Sequence, residues 1–388
     1  MSAPNLAERL QSVRKRRGFT QKDLATRSGV SLSLIRKLEQ GEREDTRLET
    51  LRRLAAALHV ATSELIVKVE RPETMSSDIW KPMKDALLRP APLAVTEEPP
   101  TPQEVRAALE AAMPMFSGDR YSDLAGVLPH LLREAGALDG EGRSVRSRVF
   151  HHAGWLLTQT RQFDAAEVAL RRALDEAPDR LDGAAVVSTR CWLLMRRGDL
   201  RGALDLAVEW ADEVEPRMSR ATAAELSAWG WLLIRLSTAA VRDNRPGEAE
   251  DAIRLARSAA VAMGSEYSPE GDFLRAFGPL TVAMKRAENA MVEDRPDRVI
   301  AMAEHIPARD LRRTSNNRNR HLLDVAKART QLRQYPEAFE ILEGIRRDAP
   351  EWITNQRYAR DVLGLIVAKR RRLTADMRDL ADFVHLEY

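Results

Sequence analysis

Six side chains in "VSLSLIRKLEQGER", residues 30 to 43, carry the chemistry of recognition rather than of catalysis. Arg36 has a planar guanidinium whose paired donors fit two neighbouring acceptor atoms at once. Ser33 both donates and accepts, and Leu32 suits a thymine methyl. Ser31, Lys37 and Arg43 complete a polar, basic surface. A second stretch, "RRTSNNRNRH" at 312 to 321, gathers three asparagines and four arginines. An asparagine amide pairs a donor with an acceptor and can hold another amide. The same residues also suit a polar helix start, with Ser315 or Thr314 as its cap. No phosphate-cradling glycine loop, nucleophile elbow or metal-ligand spacing is found. His151 and His152 are adjacent and point to different helix faces. The expectation is a non-enzyme with no cofactor and no metal.

The recognition residues need a rigid support, and the flanking sequence supplies one. Thr20 precedes an apolar-periodic segment and caps a short helix running to about Ser28. Gly29 follows where the chain turns sharply, because glycine accepts positive φ without strain. Ser31 caps the next helix, and small Ala25 lets the two helices cross closely. Val30, Ile35 and Leu38 supply the apolar side of that crossing, at the spacing of a helix-turn-helix. Leu6, Leu10 and Val13 stripe a preceding helix, and Leu48, Leu51, Leu54, Ala55 and Leu58 a following one. Leu65 and Ile66 fit a short fifth helix capped near Thr62.

The glycine, the small and branched residues and the trailing "LEQG" make residues 5 to 68 closely resemble the Cro/cI-type phage repressor domain, the XRE family. The resemblance implies double-stranded DNA as partner, with a homodimer on an inverted repeat whose half-sites lie about one helical turn apart. It implies that Ser31, Leu32, Ser33, Arg36 and Lys37 enter the major groove. Gln21 would contact phosphate or buttress the reading helix. Arg14, Arg17 and Arg43 would grip phosphates, which adds affinity without sequence information. Arg36 could instead pair with Glu39 or Glu42, but exposed pairs of that kind are weak.

Charge distribution agrees with a basic head. Residues 1 to 68 hold 14 Lys/Arg against 8 Asp/Glu, or +6, and the whole 388-residue chain carries +3, so the rest sums to −3. A basic head on a faintly acidic body faces a polyanion. The 61 basic residues divide into 52 Arg and 9 Lys, a bias that points to a GC-rich bacterial genome. Hydrophobic content of 44% with 31% charge favours a folded chain over disorder, and abundant Ala, Leu and Arg favour helix. The longest apolar run, "AWGWLLI", is too short to span a bilayer, and no apolar leader is seen at the N-terminus. A single cysteine, Cys191, fits a reducing compartment, so a cytoplasmic protein without membrane contact is expected.

Residues 69 to 103 change character. "LLRPAPLAVTEEPPTP" contains five prolines, which exclude helix interiors. "SDIWKPMKDALLR" predicts one helical clip, capped by Ser77 or Asp78, with Pro82 in its first turn and Trp80 and Leu87 packing. The expected organisation is therefore a helix-turn-helix domain over 1–68, a linker with one short helix over 69–103, and helical repeats over 104–388.

The repeats begin most clearly at "FHHAGWLLTQTRQFDAAEVALRRALDEAP", residues 150 to 178, which resembles a tetratricopeptide repeat. Phe150, Gly154 and Leu157 match its first helix, Ala166, Leu170 and Ala173 its second, and Pro178 its end. Arg161 replaces the usual turn glycine. The second-helix small position recurs at Ala203, Ala249, Val299 and Ala338, at spacings of 37, 46, 50 and 39 residues. "YSDLAGVLPHLLREAG" fits the second helix of a degenerate first copy. "RDVLGLIVAKRRR" and "MRDLADFVHLEY" fit a capping pair. Cys191 falls at a small position and reads as a packing residue. The fold expected is all-α: a five-helix Cro/cI-type domain followed by a tetratricopeptide-like solenoid with one concave face.

The resemblance places ligand-facing residues on the first helix of each repeat. Transferring that register gives His151 and Trp155, then Trp192, Trp231 and Lys285, then Asn316, Arg320, Lys327 and Gln331. The tryptophans could alternatively fill the core between repeats. A repressor-type head on such a body is similar to the peptide-pheromone receptors of Gram-positive bacteria, the Rap/Rgg/PlcR/PrgX group, and to actinobacterial regulators of the same layout. That similarity implies a peptide or small-molecule effector, dimerisation and a part in quorum sensing. The competing reading is a DNA-tethered scaffold whose repeats dock a protein.

Overall fold

Capping and punctuation decide where each helix starts. In the computed structural model, residues 5–43, 46–66, 78–88, 99–269, 271–307, 316–370 and 372–387 are described, and the regular elements among them are all helical. Asn5 caps α1 (Leu6–Arg16), and Thr20 caps α2 (Gln21–Ser28) through a box with Asp23. Gly29 then adopts φ 63°, and its N–H donates to the Ala25 carbonyl. Ser31 caps α3 (Leu32–Glu39), with its hydroxyl accepting from the Leu34 N–H at 3.3 Å. α4 (Leu48–Leu58) closes the unit. Leu10, Leu24, Ile35, Leu38, Leu54 and Leu58 are wholly buried between these helices. The fifth helix expected near Thr62 is a single 3-10 turn, Thr62–Glu64. Thr62 is buried inside that turn rather than capping it, because it packs against the rest of the chain.

Of the linker clip, α5 (Lys81–Leu88) carries Pro82 in its first turn, and Trp80 and Leu87 are buried in the core of the following helices. Ser77 and residues 89–98 lie outside the described residues, as do the proposed caps Thr314 and Ser315.

Helical hairpins follow in pairs: α6 (Pro102–Ser117) with α7 (Tyr121–Ala137), α8 (Arg143–Gln159) with α9 (Phe163–Asp175), and α10 (Arg180–Arg197) with α11 (Leu200–Glu213). Next come α12 (Ala223–Arg242) with α13 (Pro246–Met263), α14 (Pro279–Val292) with α15 (Pro296–Ala303), and α16 (Asn316–Gln331) with α17 (Tyr335–Asp348). Short α18 (Pro350–Thr354), α19 (Arg357–Val367) and α20 (Ala375–Phe383) end the array.

One backbone device recurs in every hairpin turn. Asp119, Arg161, Gly198, Asn244, Asp294 and Arg333 all take positive φ, from 53° to 86°. Five residues beyond them stand Leu124, Ala166, Ala203, Ala249, Val299 and Ala338, all buried. From Arg161 onward the turns repeat at the spacings of the small positions, so one turn geometry sets the entry of each second helix. Asparagine and aspartate tolerate this conformation, but the two arginines hold it at a local cost. Gly154 sits where α8 meets α9: a Cβ there would overlap Leu170. Cys191 is fully buried, and burial pushes its thiol up to about 12, as a packing residue requires.

Candidate functional site

Helix α3 is held by a buried polar triad. Arg14 on α1 donates from Nε and Nη2 to the two carboxylate oxygens of Glu39, at 2.6 and 2.7 Å. Its Nη1 donates to the Phe19 carbonyl at 2.7 Å. Gln21, at the start of α2, donates to Glu39 Oε2 at 2.8 Å. Burial pushes the Glu39 carboxyl up, but the bonds from Arg14 and Gln21 and the Arg14 charge outweigh it and leave it below its ordinary range. The expectation that Arg14 grips phosphate is therefore corrected: its guanidinium is turned inward and bonded through all three nitrogens to Glu39 and Phe19. Gln21 buttresses α3. Glu39 shares the inner side of α3 with Ile35 and Leu38, and that register is the sequence signal for the triad.

Commitment of Glu39 to the triad leaves the outer edge of α3 to other uses. Ser31, Ser33, Arg36 and Lys37 are exposed and Leu32 is half-buried. Among the described residues Arg36 and Lys37 have no ion pair, so the alternative Arg36–Glu39 bridge does not form. Arg43 is exposed just beyond the helix, and Arg17, also exposed, donates to the His59 carbonyl at 2.9 Å. Helix α3 and its cap thus offer hydroxyls, a guanidinium and an ammonium at exposed positions.

The back of this unit is docked on the helical hairpins. Asp243, wholly buried in the turn after α12, accepts from the Ser63 N–H at 2.7 Å and the Ser63 hydroxyl at 3.1 Å. Neighbouring Asn244 donates to the Arg52 carbonyl at 3.1 Å. Lys327 on α16 bonds Glu49 on α4 at 2.9 Å, and Arg47 pairs with Asp361 at 3.0 Å. Leu48 and Ile66 pack against the cluster of Leu200, Ala203 and Ala240. Replacing Asp243 with alanine removes two bonds to Ser63. Hydrogen exchange of the amides of 46–66 is expected to speed up about tenfold, the loss of roughly 1–1.5 kcal/mol. Unchanged protection would show that this contact does not secure the head.

The inner face differs from the open groove expected from the register. Residues 264–269 and 271–278, between α13 and α14, cross it as a strap. Tyr267 and Phe277 pair backbone to backbone at its base, at 2.8 and 2.9 Å. Phe273 meets Trp155 edge-on at 5.0 Å and lies 6.1 Å from Phe116. Trp231 Nε1 donates to the Ala276 carbonyl at 2.9 Å, and Arg148 donates to the Gly271 carbonyl at 3.2 Å. Arg275 pairs with Asp182 and with Asp272. Trp155 and Trp231 are thereby covered by the chain itself. His151 is buried, bonded to the Thr189 hydroxyl at 2.8 Å, and held neutral by burial with help from His152 and Arg275. These three expected ligand contacts are internal packing. The 50-residue spacing from Ala249 to Val299, the longest in the array, is the sequence trace of the insertion.

Other expected contacts are also spoken for. Lys285 pairs with Glu288 at 2.9 Å, Lys327 with Glu49, and Gln331 donates to Asp294 at 2.6 Å. Asn316 accepts from Gln159 and from the Trp352 indole N–H, and donates to Asp119 at 3.3 Å. It ties α16 to α8, to α18 and to the α6–α7 turn of its own chain rather than to a ligand amide. Burial pushes the Asp119 carboxyl up to about 7 despite its bonds from Tyr121 and Asn316. Trp192 and Arg320 remain half-buried on the inner face. Among the described residues no group of His, Cys, Asp and Glu is placed to hold a metal, and no helix is long and apolar enough to cross a membrane.

Fold and geometry define a DNA-binding helix-turn-helix domain on an all-helical body. Residues 10–65 match a helix-turn-helix family model. No curated protein and no solved structure matches the chain.

Proposed function

We propose that the chain is a sequence-specific transcriptional regulator whose body, read as tetratricopeptide-like repeats over 104–388, senses an effector and pairs two copies on an inverted-repeat operator. The observation that carries the reading is the exposed polar edge of α3, where Arg36 and Lys37 have no ion pair among the described residues, held in place by the Arg14–Glu39–Gln21 triad. Arg36 reads guanine, Ser31, Leu32, Ser33 and Lys37 share the groove, and Arg17 and Arg43 hold phosphates. The shared turn geometry supports the repeat reading. Sensing is supported by α16, which carries inner-face Arg320 and, two turns on, Lys327 bonded to the head. The strap over Trp155 and Trp231 favours a compact effector over an extended peptide.

The test is selection of bound DNA from a random pool, followed by binding of the selected site. Arg36→Ala is expected to lower discrimination at one G·C pair by about 1–3 kcal/mol, roughly five- to 150-fold, while binding to random DNA changes little. A variant that prefers the selected site as strongly as wild type sinks the Arg36 assignment.

A further inference from the structure

Among the described residues three long cations of the body, Arg196, Arg235 and Arg320, make no ion pair, although, against the effect of burial, Asp324 and Glu288 lie near enough to Arg320 to push its guanidinium up. Arg196 stands four residues after Trp192 on α10, and Arg235 four after Trp231 on α12, so each shares a face with its ring. Their guanidinium carbons lie 5.4 and 4.8 Å from the ring centres. Arg320 of α16 covers Tyr358 of α19 at 4.5 Å. All three are half-buried.

The neighbouring carboxylates are too few and already engaged. Glu288 takes Arg242 at 2.6 Å and Lys285 at 2.9 Å. Asp324 accepts from the Tyr358 hydroxyl at 3.0 Å, and burial pushes its carboxyl up to about 6, which weakens it as a counter-charge. Among the described residues Arg196 and Arg320 have no ion pair, and Arg235 has only the Ser188 hydroxyl at 3.1 Å. Arg196 feels the crowding directly: burial, with the charges of Arg161 and Arg320, pushes its guanidinium down to about 9.

Withdrawn cations in excess of their carboxylates are costly unless a counter-ion joins them. The guanidinium fork matches the paired oxygens of phosphate and carboxylate, and the flanking indole and phenol rings offer walls to a planar or apolar part. We propose that Arg196, Arg235 and Arg320 form the binding site of a small molecule with two or more negative charges on phosphate or carboxylate groups, walled by Trp192 and Tyr358. As the effector site it rests on the sensing reading above; its occupancy does not.

Full-length protein without DNA is titrated with pyrophosphate and with citrate, ionic strength being matched with sodium chloride, and followed by calorimetry and thermal melting. Saturable binding of one anion per chain is expected, with a melting midpoint that climbs with ligand concentration. Pyrophosphate preferred over citrate assigns phosphate chemistry, and the reverse order assigns carboxylate. Arg196→Gln and Arg320→Gln are each expected to weaken binding tenfold or more, and Arg196→Gln to do so without lowering the ligand-free midpoint, because it removes a buried charge that no neighbouring carboxylate offsets. Arg196→Lys keeps the charge and loses the fork, so it folds as wild type and still binds more weakly. Heats no different from sodium chloride, or affinity indifferent to all three variants, overturn the site. An anion that binds here and leaves operator affinity unmoved sinks the sensing reading instead, and leaves the site standing.

Discussion

Glu39→Ala is expected to destabilise the DNA-binding unit by about 3–5 kcal/mol, more than any other single polar change in the head. Arg14 and Glu39 are both buried, and the substitution strands the Arg14 guanidinium without the two bonds that offset its desolvation. Gln21 loses its acceptor in the same step. The reading helix then loses its tie to α1 and to the start of α2. Amide exchange within α1 to α3 of the full-length chain measures the effect, which amounts to a hundredfold or more in the protection of the core amides. Protection reduced less than fivefold would show that apolar packing, not the triad, holds α3. Arg14→Met combined with Glu39→Leu is expected to recover most of the loss, since apolar replacement of a buried pair is often neutral.

The same triad sets a pH limit. The folded Glu39 carboxyl titrates below its ordinary value of 4.5, so its contribution is complete above about pH 4.5. It is lost as the pH falls through the lower, folded value. Acid below that range is therefore expected to loosen α1 to α3 in wild type, whereas the apolar double variant lacks this contribution to the acid response.

Phe277→Ala is the second large effect, at roughly 3–5 kcal/mol on the body. The Phe277 ring is wholly buried against Gly230 of α12, so closely that a Cβ on Gly230 would overlap it. Its backbone also forms the two bonds to Tyr267 that close the base of the strap. Removing the ring leaves a cavity that the stiff α12 cannot fill. Thermal melting is expected to show the loss, and limited proteolysis to show cleavage within 264–278 that wild type resists. A small shift in melting with no new cleavage would mean that Phe273 and the Arg275–Asp182 pair suffice to hold the strap. Gly230→Ala reaches the same site from the other side, by overpacking rather than by a void.

Local signals and long-range contacts divide what was legible here. Thr20, Gly29 and Ser31 announce the reader because caps and positive-φ turns depend on residues next to each other in the chain. The small positions from Ala166 to Ala338 give the hairpin register for the same reason: each hairpin packs on its own halves first. Arg14 shows where such reading stops. Its position among basic residues suggests phosphate, but its direction depends on Glu39, 25 residues away, and only the packing of α1 on α3 brings them together. Trp155 and Trp231 stand on the expected face, yet the strap that covers them comes from beyond α13. Periodicity can place a residue on a helix face; it cannot say what crosses that face.

By itself, then, the sequence determined an all-helical chain, a helix-turn-helix at its head, and the turn register of the hairpins behind it. Those properties follow from propensity, capping and spacing within one or two helices. Tertiary structure alone decided that Arg14 serves Glu39, that the head is pinned through Asp243 and Lys327, and that the strap fills the aromatic half of the inner face. It also decided which arginines make no ion pair among the described residues, because charge balance in a buried site is set by neighbours distant in the chain.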